Sequence, residues 1–295
     1  MTETAQRKPL SAWLCIIIYI IGFIAISGIL TILSSLVLGI FSSHLHHIST
    51  EIDNFVAESC MLIAILITTS VMLRLGERKR MNVIGLRYSG QTGSVIIGFI
   101  VATLIIGGGF YLLLKMGEIR ITKVHFLGKA TLIYNIIFFI IVAIAEEVSF
   151  RGYILGRLLR TKLNKLVALC ISAALFMLMH GANDHITFIP IANLFLAGLL
   201  LGSVYIYTKN LWYSISLHFF WNFLQGPIFG FSVSGTGTSS IFKIKTSADT
   251  LINGGSFGFE GSLLCTFLCA ITIIITLLIM NNCHRESSIA ESTIE

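Results

Sequence analysis

Three short stretches bring ionisable and amide side chains into otherwise apolar sequence: EEVSFR from Glu146 to Arg151, FMLMH from Phe176 to His180, and HFFWN from His218 to Asn222. A charge near the centre of a bilayer costs roughly 2.5 to 3.5 kcal/mol on insertion scales, so ionisable residues there default to a functional reading. Glu147 and Arg151, Phe176 and His180, and His218 and Asn222 are each four residues apart, which puts each pair on one face of a helix. Two carboxylates, two imidazoles and an amide permit hydrolysis: one carboxylate takes a proton from water while His and Asn donate hydrogen bonds to a developing oxyanion. They also permit a zinc ion, held by Glu and His, that acidifies its bound water. HExxH and GxSxG motifs are absent, so the familiar zinc helix and a serine elbow are not supported.

The elements that must position these residues are membrane spans. The 295 residues are 55% hydrophobic and 12% charged, with a mean hydropathy of +0.89, against about 25% charged in soluble domains. Stretches long enough to cross about 30 Å of hydrocarbon are centred on residues 12–40, 55–75, 94–116, 131–158, 165–182, 188–207, 211–227 and 262–281. The expected fold is therefore an all-α integral membrane protein, a polytopic bundle of about eight transmembrane helices. A turn at Thr161 to Asn164 leaves Glu146 and His180 each about seventeen residues from the hairpin centre, roughly 25 Å along their helices and hence at one level. The turn at Thr208 to Asn210 puts His218 and Asn222 roughly 13 to 20 Å away, which reaches the same site if that hairpin starts deeper.

With an inside N-terminus, thirteen Lys and Arg fall on the inner side and six in the outer loops, four of these between Lys115 and Lys129. The sum predicts both termini in the cytoplasm, and the basic third loop argues the other way. The net charge of +6 reads as topology and attraction to anionic lipid, with no nucleic-acid partner. Arg7 and Lys8 precede a segment too long for a cleaved signal, which reads as a retained anchor. Five of six cysteines lie in apolar spans and imply no disulfide framework; Cys283, just past the last span, is either an idle thiol or a palmitoylation site.

The chain reads as one compact membrane unit in three parts: N-terminal helices and loops over 1–130, a core carrying the chemistry over 131–226, and a Gly-rich loop with the last helix over 227–295. The stretch from Gly226 to Gly261 is too broken to span, and is either a lid folded over the bundle mouth or a long external loop. Gly152 with Gly156, and Gly198 with Gly202, have the spacing of close helix packing; the triple Gly107 to Gly109 marks a loosened helix. Glu58 reads as interfacial. His44, His46 and His47, with Glu51 and Asp53, read as a solvated loop, and His125 and His185 fall in loops.

At the three polar stretches the sequence resembles the CPBP family of intramembrane proteases, which includes the type II CAAX prenyl endopeptidases and the bacterial Abi proteins linked to bacteriocin processing and self-immunity. Its pattern of EExxxR, FxxxH and HxxxN, in that order, is complete, and RGYILGRL, AGLLLGSVYIYTKNLWYSISLHFFWN and GGSFGFEGS flank it in kind. The resemblance covers roughly Thr131 to Asn222. It implies that Glu146 activates water, with His180 as a metal ligand or polar partner, and that His218 and Asn222 stabilise the oxyanion or complete a metal site. Glu147 and Arg151 would form a supporting ion pair, and Phe176 would pack. Zinc on Glu146, His180 and His218 is one option and a metal-free glutamate mechanism the other. The implied partner is a membrane-associated peptide or protein in the plasma membrane of a bacterium, processed at a CAAX-type, leader or bacteriocin site. Two other classes use the same residues: a noncatalytic immunity or scaffold protein that binds a peptide, and a proton-coupled transporter built on the carboxylate pair. Alone, the Glu–Arg group could also specify helix register, and single histidines could serve as packing hydrogen bonders.

Overall fold

The computed structural model describes residues 10–42, 50–246 and 248–294. Arg7, Lys8 and the histidines at 44, 46 and 47 lie outside the described residues. The chain runs as α1 (Ala12–Ser42), α2 (Thr50–Val71, extended by a π turn Met72–Gly76), α3 (Thr92–Lys115), β1 (Ile119–Val124), α4 (Lys129–Leu159), α5 (Lys165–Met179), α6 (Phe188–Thr208), α7 (Trp212–Phe223, extended by a π turn Leu224–Ile228), β2 (Phe242–Thr246) and α8 (Leu263–Ile294).

Six helices, α1 to α4, α6 and α8, are long and apolar enough to cross a membrane among the described residues. The expected count of about eight is not reached by this measure, because α5 has 15 residues and α7 has 12 with a further 5 in its π turn. At 1.5 Å per residue these rise about 22 and 25 Å, less than the hydrocarbon core of about 30 Å. The chain is an integral membrane protein: Ile21, Ile32, Leu36, Leu104 and Leu278, all more than 60% exposed, belong to an outer surface that only lipid covers favourably.

α2 and α4 run side by side in the same direction. The Tyr134 hydroxyl donates to the Glu51 carbonyl at 2.9 Å near their starts, and further along α2 meets the Val148–Leu155 turn of α4. α7 lies against α3 and α4, α5 against α6, and α8 against α6. Small residues allow the closest approaches. A Cβ on Gly98 would fall 2.8 Å from the Leu217 nitrogen and the Tyr213 carbonyl oxygen, and one on Gly198 would fall 2.8 Å from Cα and Cβ of Ala173. At the opposite end Glu77 receives Arg160, with Nη2 at 2.8 Å, and clamps the end of α2 to the end of α4.

The Gly-rich stretch is not a free external loop. It folds back onto the bundle, burying Phe231, Phe257 and Phe259, and Gly109 is free of a side chain where the Phe259 ring packs. Within it β2 pairs antiparallel with β1, so the helical bundle carries a two-stranded sheet that the all-α expectation omitted. A bulge between Ile121 and Lys123 shifts the register there. The helix over Gly107 to Gly109 is likewise preceded by a π turn, Thr103–Gly107.

Candidate active site

The α-helical part of α4 ends at Glu147, and the backbone widens into a π-helical stretch, Val148–Leu155. Such bulges inside α-helices frequently lie at functional sites. Immediately before this one, Glu146 and Glu147 project to different partners. Glu147, fully buried, receives Arg151 Nη1 at 2.8 Å on Oε1, and the same oxygen lies 2.8 Å from His218 Nδ1. Arg151, 1% exposed, also donates from Nη2 to the Gly198 carbonyl at 3.2 Å, and its guanidinium lies 4.6 Å from the centre of the Phe176 ring. The expected Glu147–Arg151 pair is present, and it holds a histidine of another helix as well.

His180 is not on a helical turn as its spacing suggested. It is the residue that caps α5 at its C-terminal end, where its Nδ1 lies 2.8 Å from the Phe176 carbonyl oxygen. A carbonyl can only accept, so Nδ1 carries the hydrogen, and in the neutral ring the lone pair is on Nε2. The carboxylate on His218 Nδ1 imposes the same tautomer. Both Nε2 atoms then face Glu146: each is 3.8 Å from Oε2, which is buried and has no hydrogen-bond partner. Three acceptor atoms converge at a spacing that one water, donating to two of them, can bridge. Phe176 packs between these groups, its centre 4.5 Å from that of the His180 ring and 6.3 Å from that of the His218 ring.

These residues line a cavity of about 430 Å³. Glu146, Phe176, His180, His218 and Asn222 all reach it, with apolar wall from Phe139, Val142, Leu200 and Leu217. Its outer wall is the folded-back Gly-rich stretch, through Val233, Ser234, Thr236 and Thr238. Glu260 fastens that wall: Trp221 Nε1 donates to Oε1 at 2.9 Å, while the Ser234 backbone N–H and hydroxyl donate to Oε2 at 2.8 and 3.0 Å. Asn193 of α6 in turn donates to the Glu260 and Ser262 carbonyls at 2.7 and 2.9 Å. None of these was singled out in the sequence, although Glu260 stands within GGSFGFEGS; a single carboxylate on a Gly-rich stretch carries no periodic signal. Glu58, read from the sequence as interfacial, lies on the cavity wall, with its Oε2 buried and without a partner.

Among the described residues, no group of three or more His, Cys, Asp and Glu stands at metal-ligand spacing in this structure. The 3.8 Å separations exceed the roughly 3.4 Å between ligand atoms that tetrahedral zinc bonds of about 2.0 to 2.1 Å would give. His125 and His185 are in loops, as expected.

Residues 128–224 match the family model described as type II CAAX prenyl endopeptidase Rce1-like. This stretch is Rce1-like. It starts just before α4, ends just after α7, and contains all three polar motifs. The match is to the family that the motifs had indicated, and it supports a CAAX-type intramembrane endopeptidase acting on a membrane-associated protein. No curated protein shows significant similarity to the chain. The Rce1-like segment supplies the glutamates, both histidines and Asn222, whereas Glu58 and the Glu260 wall come from outside it.

Proposed function

We propose that the chain is an endopeptidase that cuts a membrane-associated peptide or protein in this cavity, with Glu146 as the base that activates water. The observation that carries the reading is the convergence of Glu146 Oε2 with two imidazole Nε2 atoms at 3.8 Å, each ring held at Nδ1 from behind. A water held there donates one hydrogen to Glu146 and the other to His180, which leaves an oxygen lone pair for attack on a peptide carbonyl. Asn222 supplies amide N–H groups toward the oxyanion, and His218, between Glu147 and Glu146, is a second donor in its imidazolium form. Glu146 takes the water proton and passes it to the leaving nitrogen as the C–N bond breaks. The products are one carboxyl and one amino terminus, with no group consumed besides water. Phe176 and the Glu147–Arg151 pair hold the rings and make no contact with the scissile bond.

Because the spacing is wider than a zinc site needs, no step is assigned to a metal. The compact arrangement and the Rce1-like core are compatible with CAAX-type processing and with cleavage of a leader or bacteriocin peptide. Comparative peptidomics of membranes that carry wild-type or Glu146→Gln protein tests catalysis and reveals the substrate. The expected result is loss of the product peptides and accumulation of their precursor. Unchanged products in both Glu146→Gln and His180→Ala membranes would overturn the proposal, and leave a peptide-binding role for the same cavity.

A further inference from the structure

We infer that Glu58 is a specificity-determining residue, which pairs with a lysine or arginine of the substrate about two residues from the scissile bond. The inference rests on the endopeptidase reading for the scissile bond, but its charge argument stands on the cavity alone.

Glu58 belongs to α2 and reaches the same cavity as Glu146. Its Oε2 is buried and has no hydrogen-bond partner. Removing a carboxylate from water costs several kcal/mol unless a cation or donors compensate. No Lys or Arg lines the cavity among the described residues, and the buried cation Arg151 is engaged by Glu147 and the Gly198 carbonyl. The wall therefore presents a carboxylate without a countercharge beside an apolar surface made by Phe138, Phe139 and Val142. A substrate side chain with an alkyl stem and a cationic end complements both parts.

Its depth gives the position. α2 and α4 start together at the Tyr134–Glu51 hydrogen bond and run in the same direction. Glu58 is seven residues beyond Glu51, about 10 Å, and Glu146 is twelve beyond Tyr134, about 18 Å. Glu58 thus lies roughly 7 to 8 Å nearer the mouth than the proposed base. An extended peptide advances about 3.3 Å per residue, so this offset is about two residues.

The test uses amphipathic peptides in detergent micelles, in which lysine, norleucine or glutamate is scanned through the positions flanking the cleaved bond. Wild-type protein should cleave the lysine peptide with a kcat/KM roughly tenfold or more above that of the norleucine peptide at a position about two residues away, with glutamate lowest. In Glu58→Gln the ratio should fall to near one, and Glu58→Lys should favour the glutamate peptide. If the substituted proteins do not fold, the order of the three peptides on wild-type protein decides. Cleavage without a lysine preference, or a preference that survives Glu58→Gln, would overturn this inference and leave the protease reading intact. Binding of the same peptides to Glu146→Gln protein separates the two: lysine-dependent binding in a protein whose wild-type form cleaves nothing would support the Glu58 contact and sink the protease reading.

Discussion

The adjacent carboxylates do different work because their surroundings differ. Glu147 is fully buried between Arg151 and His218, while Glu146 is 16% exposed at the cavity with an unpartnered oxygen. Removing one partner of a buried ion pair typically destabilises by about 3 to 5 kcal/mol, since the other charge is left uncompensated. Arg151→Met should therefore lower the thermal unfolding midpoint in detergent by several degrees, while Glu146→Gln stays near wild type but loses activity; similar midpoints for both would contradict the division of roles. A second expectation concerns metal. If Glu146 acts on water directly, prolonged chelation should leave peptide cleavage undiminished and elemental analysis of active protein should find no stoichiometric zinc. Activity that is lost on chelation and restored by zinc would require Glu146, His180 and His218 to move closer than they stand here.

At the scale of elements, the site depends on helices that end early and on a stretch that is not a helix. α5 stops at Met179 and so presents His180 at its end, where the ring can lie against the Phe176 carbonyl. Non-helical backbone at this depth is tolerated where protein or a cavity surrounds it. The Gly-rich wall is held through Glu260, and Glu260→Ala would strand the Trp221 and Ser234 N–H groups, each worth about 1 to 3 kcal/mol when left buried and unsatisfied. Hydrogen exchange over Val233 to Thr238 should then accelerate while that of α1 is unchanged; uniform acceleration would point to global unfolding. Gly198→Ala is expected to cost about 1 to 3 kcal/mol through overpacking, because the new Cβ meets Ala173 at 2.8 Å. It would also displace the carbonyl that receives Arg151, so cleavage should decline along with stability.

For the whole molecule, the alternation of helices puts the cavity mouth and the two-stranded sheet on one side of the membrane and the Thr161 to Asn164 turn on the other. Both faces carry Lys and Arg, since β1 and β2 bring Arg120, Lys123, Lys243 and Lys245 together in cross-strand pairs. In a cysteine-free background, cysteines introduced at Lys162 and at Asp184 should react with an impermeant thiol reagent from opposite sides, and one at Gly237 should follow Asp184. Labelling of all three from one side would overturn this topology.

The sequence by itself determined the membrane class, since composition and span length suffice for that, and the three motifs, since i, i+4 spacing is local. It also aligned Glu146 with His180, because helix rise converts a residue count into depth. Tertiary structure decided what lies across the cavity. The Glu147–His218 contact joins residues 71 apart, Trp221 reaches Glu260 from 39 away, and Glu58 reaches the cavity from outside the core segment. No periodic pattern encodes such contacts; they arise only when α2, α4, α7 and the folded-back stretch pack together. Lid and loop look alike in a Gly-rich sequence, and the burial of three phenylalanines with one carboxylate selected the former.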